Sequence, residues 1–230
     1  LEFRRVLFRS DAFHHLRTVV APGGLLYFEV PDATAFADWP NAPYQDFSTE
    51  HINFFTPGSL TNTLHWYGFS EVWLEQNHRV QSHRTVMANI SAIYRRELVA
   101  PHTILAPDAD GREGLVRYIT QCRKEERDLL AQIEALVVAG RPMLIWGVGT
   151  HTTRLMATSR LAEANIVAFV ESNARYHGRE LMGRPILAPE ALRDHHEPVL
   201  ISSRVFQHEI AEQIRHDLGC DNPLITLYQL

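Results

Sequence analysis

The sequence predicts an α/β protein made of two units that are joined by a long helix. Segments typical of helices and of strands follow one another through residues 11–99. Residues 141–230 repeat the order strand then helix, which is typical of a parallel sheet covered by helices. We therefore expect a first unit at residues 11–99, a linker and long helix at 100–140, and a second domain at 141–230.

The composition indicates an ordinary globular protein and argues against several functional classes. Of the 230 residues, 45% are hydrophobic and 21% charged, so the chain can bury a sizeable core. A net charge of −5 gives no reason to expect nucleic acid or a membrane as a partner. No apolar run approaches the roughly 18 residues of a membrane helix. Cys122 and Cys220 lack metal-ligand spacing, so we expect no metal site and a reducing, cytoplasmic compartment.

The first unit begins after an unusual start. Residues 1–10 are basic and apolar but lack the features of a signal peptide, and we interpret them as a truncated or spurious end. Residues 11–20 have apolar side chains at helical spacing, among them Val19. The turn A-P-G-G then breaks this pattern, and residues 25–31 are typical of a buried strand.

A Glu-His pair stands out in the loop that follows. Residues 44–60 read Y-Q-D-F-S-T-E-H-I-N-F-F-T-P-G-S-L, so Glu50 and His51 lie among four aromatic residues, shortly before a helix start. Thr56 is a good N-cap, with proline at the first helical position, and Gly68 ends the helix. Burying the pair costs free energy unless its hydrogen bonds are met. It is therefore either a structural element that bonds to backbone near Thr56 or a catalytic one.

A long amphipathic helix is predicted at residues 112–139, after strand-like runs at 69–75 and 85–94. Its apolar positions recur at spacings of three and four residues, and Glu126 interrupts them. These positions are Leu115, Ile119, Cys122, Leu129, Ile133 and Leu136. Such a stripe is usually a packing face against the same chain or against a dimer mate.

The second domain alternates strands with helices. The predicted strands are residues 141–146, 166–172, 198–203 and 223–228. The predicted helices are one that the glycine turn at 147–152 opens and that runs through 164, and two at 189–194 and 206–219. A loop without regular structure is expected between residues 173 and 188. This order indicates a small, parallel, Rossmann-like sheet.

A glycine turn after the first of these strands is a candidate nucleotide site. The candidate residues lie where a phosphate and a ribose would bind, at a helix start and at the end of the second strand. They are Gly147, Gly149, Thr150 and Glu171. Thr152 takes the place of a third glycine. The alternative is that the glycines only make a tight turn and that Glu171 is solvated. We expect His151 to lie on the surface.

Motifs in both units resemble those of a methyltransferase group. Residues 11–99 contain P-G-G before a strand that ends E-V-P, then E-H-x-x-F-F-T before a helix and G-F after it. In this order they resemble the second half of a class I S-adenosylmethionine-dependent methyltransferase. Three segments of the second domain, W-G-V-G-T-H, V-E-S-N-A-R-Y-H-G-R-E-L-M-G-R-P-I and V-L-I-S-S-R-V-F-Q-H-E-I, are similar to the C-terminal domain of sugar C-methyltransferases. The fold implied is an incomplete methyltransferase half, a long helix and a small Rossmann-like domain.

The resemblance implies a catalytic role for the Glu-His pair. The group often carries Y-x-E-H with the histidine as catalytic base; Glu50 and His51 fall on the pair, and Ser48 falls on the tyrosine position. A histidine with an ordinary pKa near 6.5 suits proton abstraction at neutral pH. Glu50 would orient His51 or hold a substrate hydroxyl. The substrate-binding candidates are Tyr44, Ser48 and Asn53.

The resemblance also implies a cofactor and partners. These are S-adenosylmethionine and a small-molecule substrate such as a nucleotide sugar, and the long helix offers a surface for self-association. The family binds its cofactor at an acidic-Gly-x-Gly turn that this sequence lacks. We therefore expect the C-terminal part of a longer enzyme that does not bind the cofactor by itself. Two other functions stay open: an accessory nucleotide-binding module without catalysis, and a small-molecule O-methyltransferase.

Overall fold

The chain forms two compact units. A computed structural model describes residues 9–39, 41–47, 53–80, 82, 85–98 and 106–228. Unit 1 comprises Leu1–Pro40 and Tyr44–Gln121, and unit 2 comprises Asn41–Pro43 and Cys122–Leu230. Both contain helices and a sheet, so the predicted α/β fold is confirmed. The division between the units falls inside a long helix, and the predicted domain limits stay predictions.

Unit 1 is built on a three-stranded antiparallel sheet. Its elements are α1 (Arg9–Val19), β1 (Leu25–Pro31), α2 (Pro57–Trp66), β2 (Phe69–Val80), β3 (Val86–Arg96) and the first part of α3 (Ala109–Ala139). The strand order is β1-β3-β2, and both neighbouring pairs are antiparallel. β2 continues beyond the predicted end at residue 75, because its pairing with β3 extends to Val80.

The core of unit 1 joins one face of this sheet to α1 and α2. Alternate residues of β1 and β3 contribute to it, as the two-residue period of a strand requires. Its buried members are Phe13, Leu16, Phe55, Leu60, Leu64, Phe69, Ile90, Ala92 and Tyr94. The predicted apolar face of α1 is wrong at Val19, whose side chain is exposed because it lies at the last residue of the helix.

The predicted start and end of α2 are confirmed. The hydroxyl of Thr56 accepts a hydrogen bond from the Ser59 amide, and the Ser59 hydroxyl accepts one from the Thr56 amide. This reciprocal pair is a capping box, which satisfies backbone donors that the helix leaves open. Gly68 follows the helix with a φ of 80°, a left-handed conformation that glycine adopts without steric cost.

The start of α3 is tied to the start of α2. The Asp108 carboxylate accepts hydrogen bonds from the Gly111 amide at 3.0 Å and from the Thr56 hydroxyl at 2.6 Å. Asp108 therefore bonds to the first turn of α3, and the helix begins at Ala109 rather than at the predicted residue 112.

The apolar stripe predicted for α3 is partly buried. Cys122, Leu129 and Ile133 are buried, whereas Leu115, Ile119 and Leu136 are half-buried. The stripe prediction misses the buried Gly114, where a Cβ would lie 2.6 Å from the carbonyl oxygen of Thr34. Glycine is therefore needed for α3 to come this close to the loop after β1.

Unit 2 is a mixed sheet with five parallel strands. Its elements are the rest of α3, β4 (Met143–Trp146), α4 (Thr150–Thr158), β5 (Ile166–Val170), β6 (Glu180–Leu181), β7 (Arg184–Leu187), β8 (Val199–Ile201), α5 (Gln207–Glu212) and β9 (Leu224–Thr226). The strand order is β6-β7-β5-β4-β8-β9, and only β6 runs antiparallel to its neighbour.

Three local predictions for unit 2 are corrected. The expected loop between residues 173 and 188 contains the β6–β7 hairpin, whose turn residues Met182 and Gly183 both have positive φ, at 51° and 71°. That combination matches a tight hairpin turn. The helix expected through residue 164 ends at Thr158, because Ser159 is extended and caps a short 3-10 turn. The helix expected at 206–219 is divided into α5 and a π turn, whereas the short helix expected at 189–194 is confirmed as a 3-10 helix.

The sheet of unit 2 is buried on both faces. Ile145 belongs to the same core as Leu129 of α3, whereas the preceding Leu144 belongs to the core that includes Ile210 of α5. Strands buried in this way read as continuous apolar runs, as β4 does. Glu126, which interrupts the stripe of α3, forms an ion pair with Arg154 of α4 at 3.5 Å.

Two further predictions concern the membrane and the cysteines. In the part of the chain that the structure describes, no helix is long and apolar enough to cross a membrane. Cys122 and Cys220 are both buried, and neither forms a disulfide bond within the described residues.

Gly114→Ala is expected to destabilise the protein, although alanine is the better helix former by about 1 kcal/mol. The new methyl would meet the Thr34 carbonyl at 2.6 Å, and overpacking costs about 1–3 kcal/mol. The matched control is Gly58→Ala in α2, whose Cβ would lie 3.6 Å from Asp108, an ordinary contact. Chemical denaturation should show a lower free energy of unfolding for G114A and not for G58A. Equal effects would contradict the close approach.

Candidate functional site

The aromatic residues around the Glu-His pair hold the two ends of its loop together. Phe47 and Phe54 flank residues 48–52, and their ring centroids lie 5.0 Å apart in an edge-to-face contact. This arrangement is favourable for aromatic pairs. The ends of the segment that carries Glu50 and His51 are therefore close together and fixed by apolar packing.

A tyrosine of α3 anchors the same aromatic cluster. The ring of Tyr118 lies 5.2 Å from that of Phe47 and 5.5 Å from that of Phe36. Its hydroxyl accepts a hydrogen bond from the Asp46 amide at 3.2 Å. Tyr118 thus attaches both the start of the loop and the segment after β1 to the helix.

A buried carboxylate anchors the other end of the loop. Asp32 is 1% exposed, directly after β1, and forms a parallel bridge with Phe55. Its carboxylate accepts hydrogen bonds from the Thr34 amide and hydroxyl, at 2.9 and 2.6 Å, and from the side-chain amide of Gln76 at 2.6 Å. Buried carboxylates need such donors. Asp32 therefore fixes where the chain returns to the sheet after the Glu-His segment.

Two of the predicted substrate-binding residues lie within the described residues. Tyr44 is half-buried and has a φ of 60°, which is uncommon outside glycine and costs about 1–2 kcal/mol. Asn53 is also half-buried and directly precedes Phe54. Phe47, three residues after Tyr44, contacts Phe54, which directly follows Asn53. The predicted residues Ser48, Glu50 and His51 lie outside the described residues.

In unit 2 the strand order reverses beside the predicted nucleotide site. The chain runs from β4 to β5 on one side and returns to β8 on the other side of β4. In open parallel sheets, ligands bind outside the carboxyl ends of the strands at this switch point. Gly147 follows β4 and Ser202 follows β8, so both lie at that position.

The glycine turn packs tightly against Ser202. Gly147 has a φ of 109°, and a Cβ there would lie 3.0 Å from the Ser202 hydroxyl oxygen. That hydroxyl donates to the carbonyl of Trp146 at 2.9 Å, so it accepts the hydrogen bond from the Thr152 hydroxyl, at 2.6 Å. Thr152 therefore joins the turn to β8 in place of a third glycine. Glycine is needed at residue 147 because φ is positive there and because a Cβ would crowd Ser202.

Gly149 has a different role, because it opens space at the start of α4. It is the N-cap residue, has an ordinary φ of −70°, and provides no side-chain cap. A Cβ at Gly149 would meet no atom within 4 Å. Thr150, the first residue of α4, follows it. A helix start without a side-chain cap and with open space beside it can accept an anion.

Glu171 bridges the turn and the loop after β5. Its carboxylate accepts hydrogen bonds from the Val148 amide at 3.1 Å and from the Asn173 amide at 3.0 Å. A carboxylate has about four acceptor sites, so two hydroxyls of a ribose can still bind. The carboxylate thus links the glycine turn to the loop after β5, and both bonds hold that loop.

The predicted surface position of His151 is wrong. Its ring is half-buried, and its Nε2 atom is hydrogen-bonded to the hydroxyl of Tyr228. Burial, helped by the nearby cations Arg154 and Arg204, lowers the pKa of His151 to about 4. Burial also raises the pKa of the Tyr228 hydroxyl, which therefore stays protonated and donates to His151. Neutral His151 then carries its own proton on Nδ1.

Sequence reasoning misses several residues that organise these sites. Asp32 and Tyr118 position the loop of the Glu-His pair, and Ser202, Arg204 and Tyr228 lie beside the glycine turn of unit 2. Only their positions along the sequence, and no motif, could have indicated these residues. Ser202, Arg204 and Tyr228 each follow the carboxyl end of a parallel strand, where ligands bind in α/β folds, and Asp32 follows β1 of the antiparallel sheet.

Two regions of the chain match known protein families. Residues 5–74 match the family described as "Methyltransferase domain", and residues 141–225 match the family described as "C2185-like, N-terminal". No curated protein matches the chain significantly. The first match supports a class I S-adenosylmethionine-dependent methyltransferase, and therefore a transferase enzyme. Neither match identifies the sugar C-methyltransferase group.

Gly147→Ala and Gly149→Ala are expected to differ in stability. Alanine at residue 147 requires the left-handed backbone region and meets Ser202 at 3.0 Å, which should cost about 1–3 kcal/mol. Alanine at residue 149 keeps an ordinary φ and enters open space, so the unfolding free energy should change by about 0.5 kcal/mol or less. Denaturant titration of both variants measures this difference. A loss at residue 149 as large as that at residue 147 would show that the turn is misassigned.

The stability contributed at His151 is expected to fall in acid. Well above pH 6.5 the ring is neutral in both the folded and the unfolded state, so its protonation has no effect on stability. As the pH falls from 6.5 towards 4, the unfolded chain binds the proton and the folded protein does not. Relative to His151→Gln, the wild type should lose about 1–2 kcal/mol between pH 7 and pH 5.

Unfolding measured at several pH values tests this expectation. His15→Gln, on an exposed position of α1, serves as the control. A wild type and an H151Q variant whose difference stays constant with pH would rule out a buried neutral histidine.

Proposed function

We propose that this protein takes part in methyl transfer to a small molecule, a nucleotide-linked sugar, with His51 as the general base. The observation that carries the proposal is the match of residues 5–74 to a methyltransferase domain, because this region includes the Glu-His pair. The anchored ends of the loop support it. A general base must be held within hydrogen-bond reach of its proton, and a loop tied at both ends can do so.

The role of His51 is proton removal from the acceptor. The acceptor atom is an oxygen of a hydroxyl or a carbon next to a carbonyl, and His51 takes its proton as the methyl group is transferred. A histidine suits this step at neutral pH because its ordinary pKa is near 6.5. Glu50 either orients the His51 ring or binds a substrate hydroxyl. Tyr44, Ser48 and Asn53 then line the substrate side of the same loop.

S-adenosylmethionine supplies the methyl group in this class of enzyme. Within the described part of unit 1, no strand leads through a glycine turn into a helix, so the residues there do not fit the cofactor. We assign no residue of this chain to hold it. The roles proposed for unit 1 concern the methyl acceptor alone.

The nucleotide part of the substrate is assigned to unit 2. Support comes from the switch point, where Gly147 makes the turn, Gly149 borders open space before Thr150 begins α4, and Glu171 follows β5. A phosphate group would bind at the helix start, and ribose hydroxyls would bind at Glu171.

Two other functions are compatible with parts of this arrangement. The glycine turn of unit 2 favours an accessory nucleotide-binding module, in which the Glu-His pair would be structural. Ser48 at the position where the C-methyltransferase group has tyrosine favours transfer to an oxygen instead of a carbon. We also propose a cytoplasmic location and self-association through α3, which exposes apolar side chains at Val116, Leu130 and Val138.

His51→Gln should lower the methyl-transfer rate constant kcat by roughly 100-fold to 10,000-fold, the usual contribution of a general base. The assay measures methyl transfer from S-adenosylmethionine to a nucleotide sugar. It uses a protein that contains this chain and is active as a methyltransferase. Loss of the base should also remove the acidic limb of the pH–rate profile, which a purely structural residue would not do. His65→Gln in α2 is the control.

An H51Q variant with wild-type kcat and an unchanged pH profile would disprove the base. Absence of any methyl transfer together with nucleotide binding would favour the accessory module. Methyl-transfer activity and the pH profile of the variant therefore distinguish the methyltransferase from the accessory nucleotide-binding module.

A further inference from the structure

Among the nitrogen atoms of unit 2 that lack a hydrogen-bond partner within the described part of the chain, four lie on three side chains that follow β4 and β8. They are Nδ1 of His151, Nε and Nη2 of Arg154, and Nε of Arg204. All four are shielded from solvent, and the three arginine atoms are always donors. Nδ1 of neutral His151 is a donor too, because Nε2 accepts from Tyr228. Shielded donors without an acceptor are costly, so an acceptor is expected beside them.

These side chains meet at the carboxyl edge of the parallel sheet. β4, β8 and β9 are neighbours, and the three side chains and Tyr228 all follow the carboxyl ends of these strands. The guanidinium carbon of Arg204 lies 5.1 Å from the centre of the Tyr228 ring, whose hydroxyl bonds to His151. His151 and Arg154 are three residues apart in α4 and so share one face of the helix.

Two glutamates hold the arginines without using all their donors. Arg204 pairs with Glu125 and also donates to the Asn41 carbonyl, whereas Arg154 pairs with Glu126 through Nη1 alone, at 3.5 Å. A guanidinium has five N–H groups, so each arginine keeps donors on another side. The side chains of Arg154 and Arg204 are 27% and 18% exposed, so both reach the surface although their unpaired nitrogen atoms are shielded.

The start of α4 adds to this cluster. His151 lies in the first turn of that helix, and Gly149 before it provides no side-chain cap and borders open space. Helix starts attract anions through their backbone N–H groups and their partial positive charge. Side-chain donors and the helix start therefore favour the same kind of ligand.

We propose that His151, Arg154 and Arg204 form a phosphate-binding site that holds the diphosphate of a nucleotide. Phosphate oxygens accept several hydrogen bonds, and arginine binds them with two donors at once. The glutamates fix the arginines, and the Tyr228 hydroxyl fixes the proton of His151 on Nδ1. This assignment rests on the proposed binding of a nucleotide sugar at the Gly147 turn, and it identifies the residues that would bind its charged part.

Calorimetric titration of the 230-residue chain with dTDP, thymidine and inorganic pyrophosphate tests the site. We expect dTDP and pyrophosphate to bind and thymidine to bind at least about 10-fold more weakly, because it lacks the charged oxygens. In ¹⁵N-labelled protein, the Nε–H signals of Arg154 and Arg204 should shift during both titrations with phosphate compounds. This readout needs no substitution and so does not depend on a variant that folds.

Substitutions then assign the contacts. Arg154→Gln should weaken dTDP binding about 10-fold or more, since a charge-assisted hydrogen bond is lost. Arg160→Gln is the matched control, because Arg160 lies in the 3-10 turn after α4 and pairs with Glu134 and Glu163 on the surface. Gly149→Val should also weaken binding, because its side chain would fill the open space at the helix start.

The possible results distinguish a failure of the phosphate-site proposal from a failure of the proposed nucleotide binding. If dTDP binds and G149V weakens it, but the arginine signals and R154Q show no effect, the phosphate assignment is wrong and nucleotide binding stands. If pyrophosphate shifts the arginine signals and dTDP does not bind, the anion site is supported. The proposal that its ligand is a nucleotide is then wrong. If neither compound binds, both proposals fail, and ordered water is the acceptor for the four donors.

Discussion

Both units depend on a close approach of chain segments that a side chain on one residue would block. In unit 1, Gly114 lets α3 come against the Thr34 backbone, and one turn further along α3 Tyr118 packs on Phe36 and Phe47. In unit 2, Gly147 lets the turn after β4 lie against Ser202. Because protein interiors are closely packed, small residues at such contacts determine where the neighbouring functional loops lie.

The aromatic residues around the Glu-His pair have a structural explanation that is compatible with catalysis. Phe47 and Phe54 close the loop by apolar packing, while Asp32 fixes its return to the sheet by hydrogen bonds. A loop held by its ends can present polar residues between them without burying those residues in the core. The aromatics therefore answer a packing requirement, whatever the proposed catalytic role of Glu50 and His51.

At the carboxyl edge of the sheet in unit 2, hydrogen bonds rather than aromatic contacts hold the glycine turn in place. Glu171 holds the glycine turn, the Thr152 and Ser202 hydroxyls join it to β8, and Tyr228 orients His151. Burial lowers the pKa of His151 there, and the positive charges of Arg154 and Arg204 lower it further. The same edge is where an α/β sheet with this strand order binds ligands.

The sequence by itself determined the α/β class, most strands, the start of α2 at Thr56 and the turn at Gly147, because periodicity, caps and glycines act over a few neighbouring residues. Only the tertiary structure revealed the partners of Asp32, Tyr118 and His151. Those contacts join residues far apart in the chain, and their residue types alone are equally typical of an exposed surface. The β6–β7 hairpin belongs with them, since its short strands exist only through their pairing.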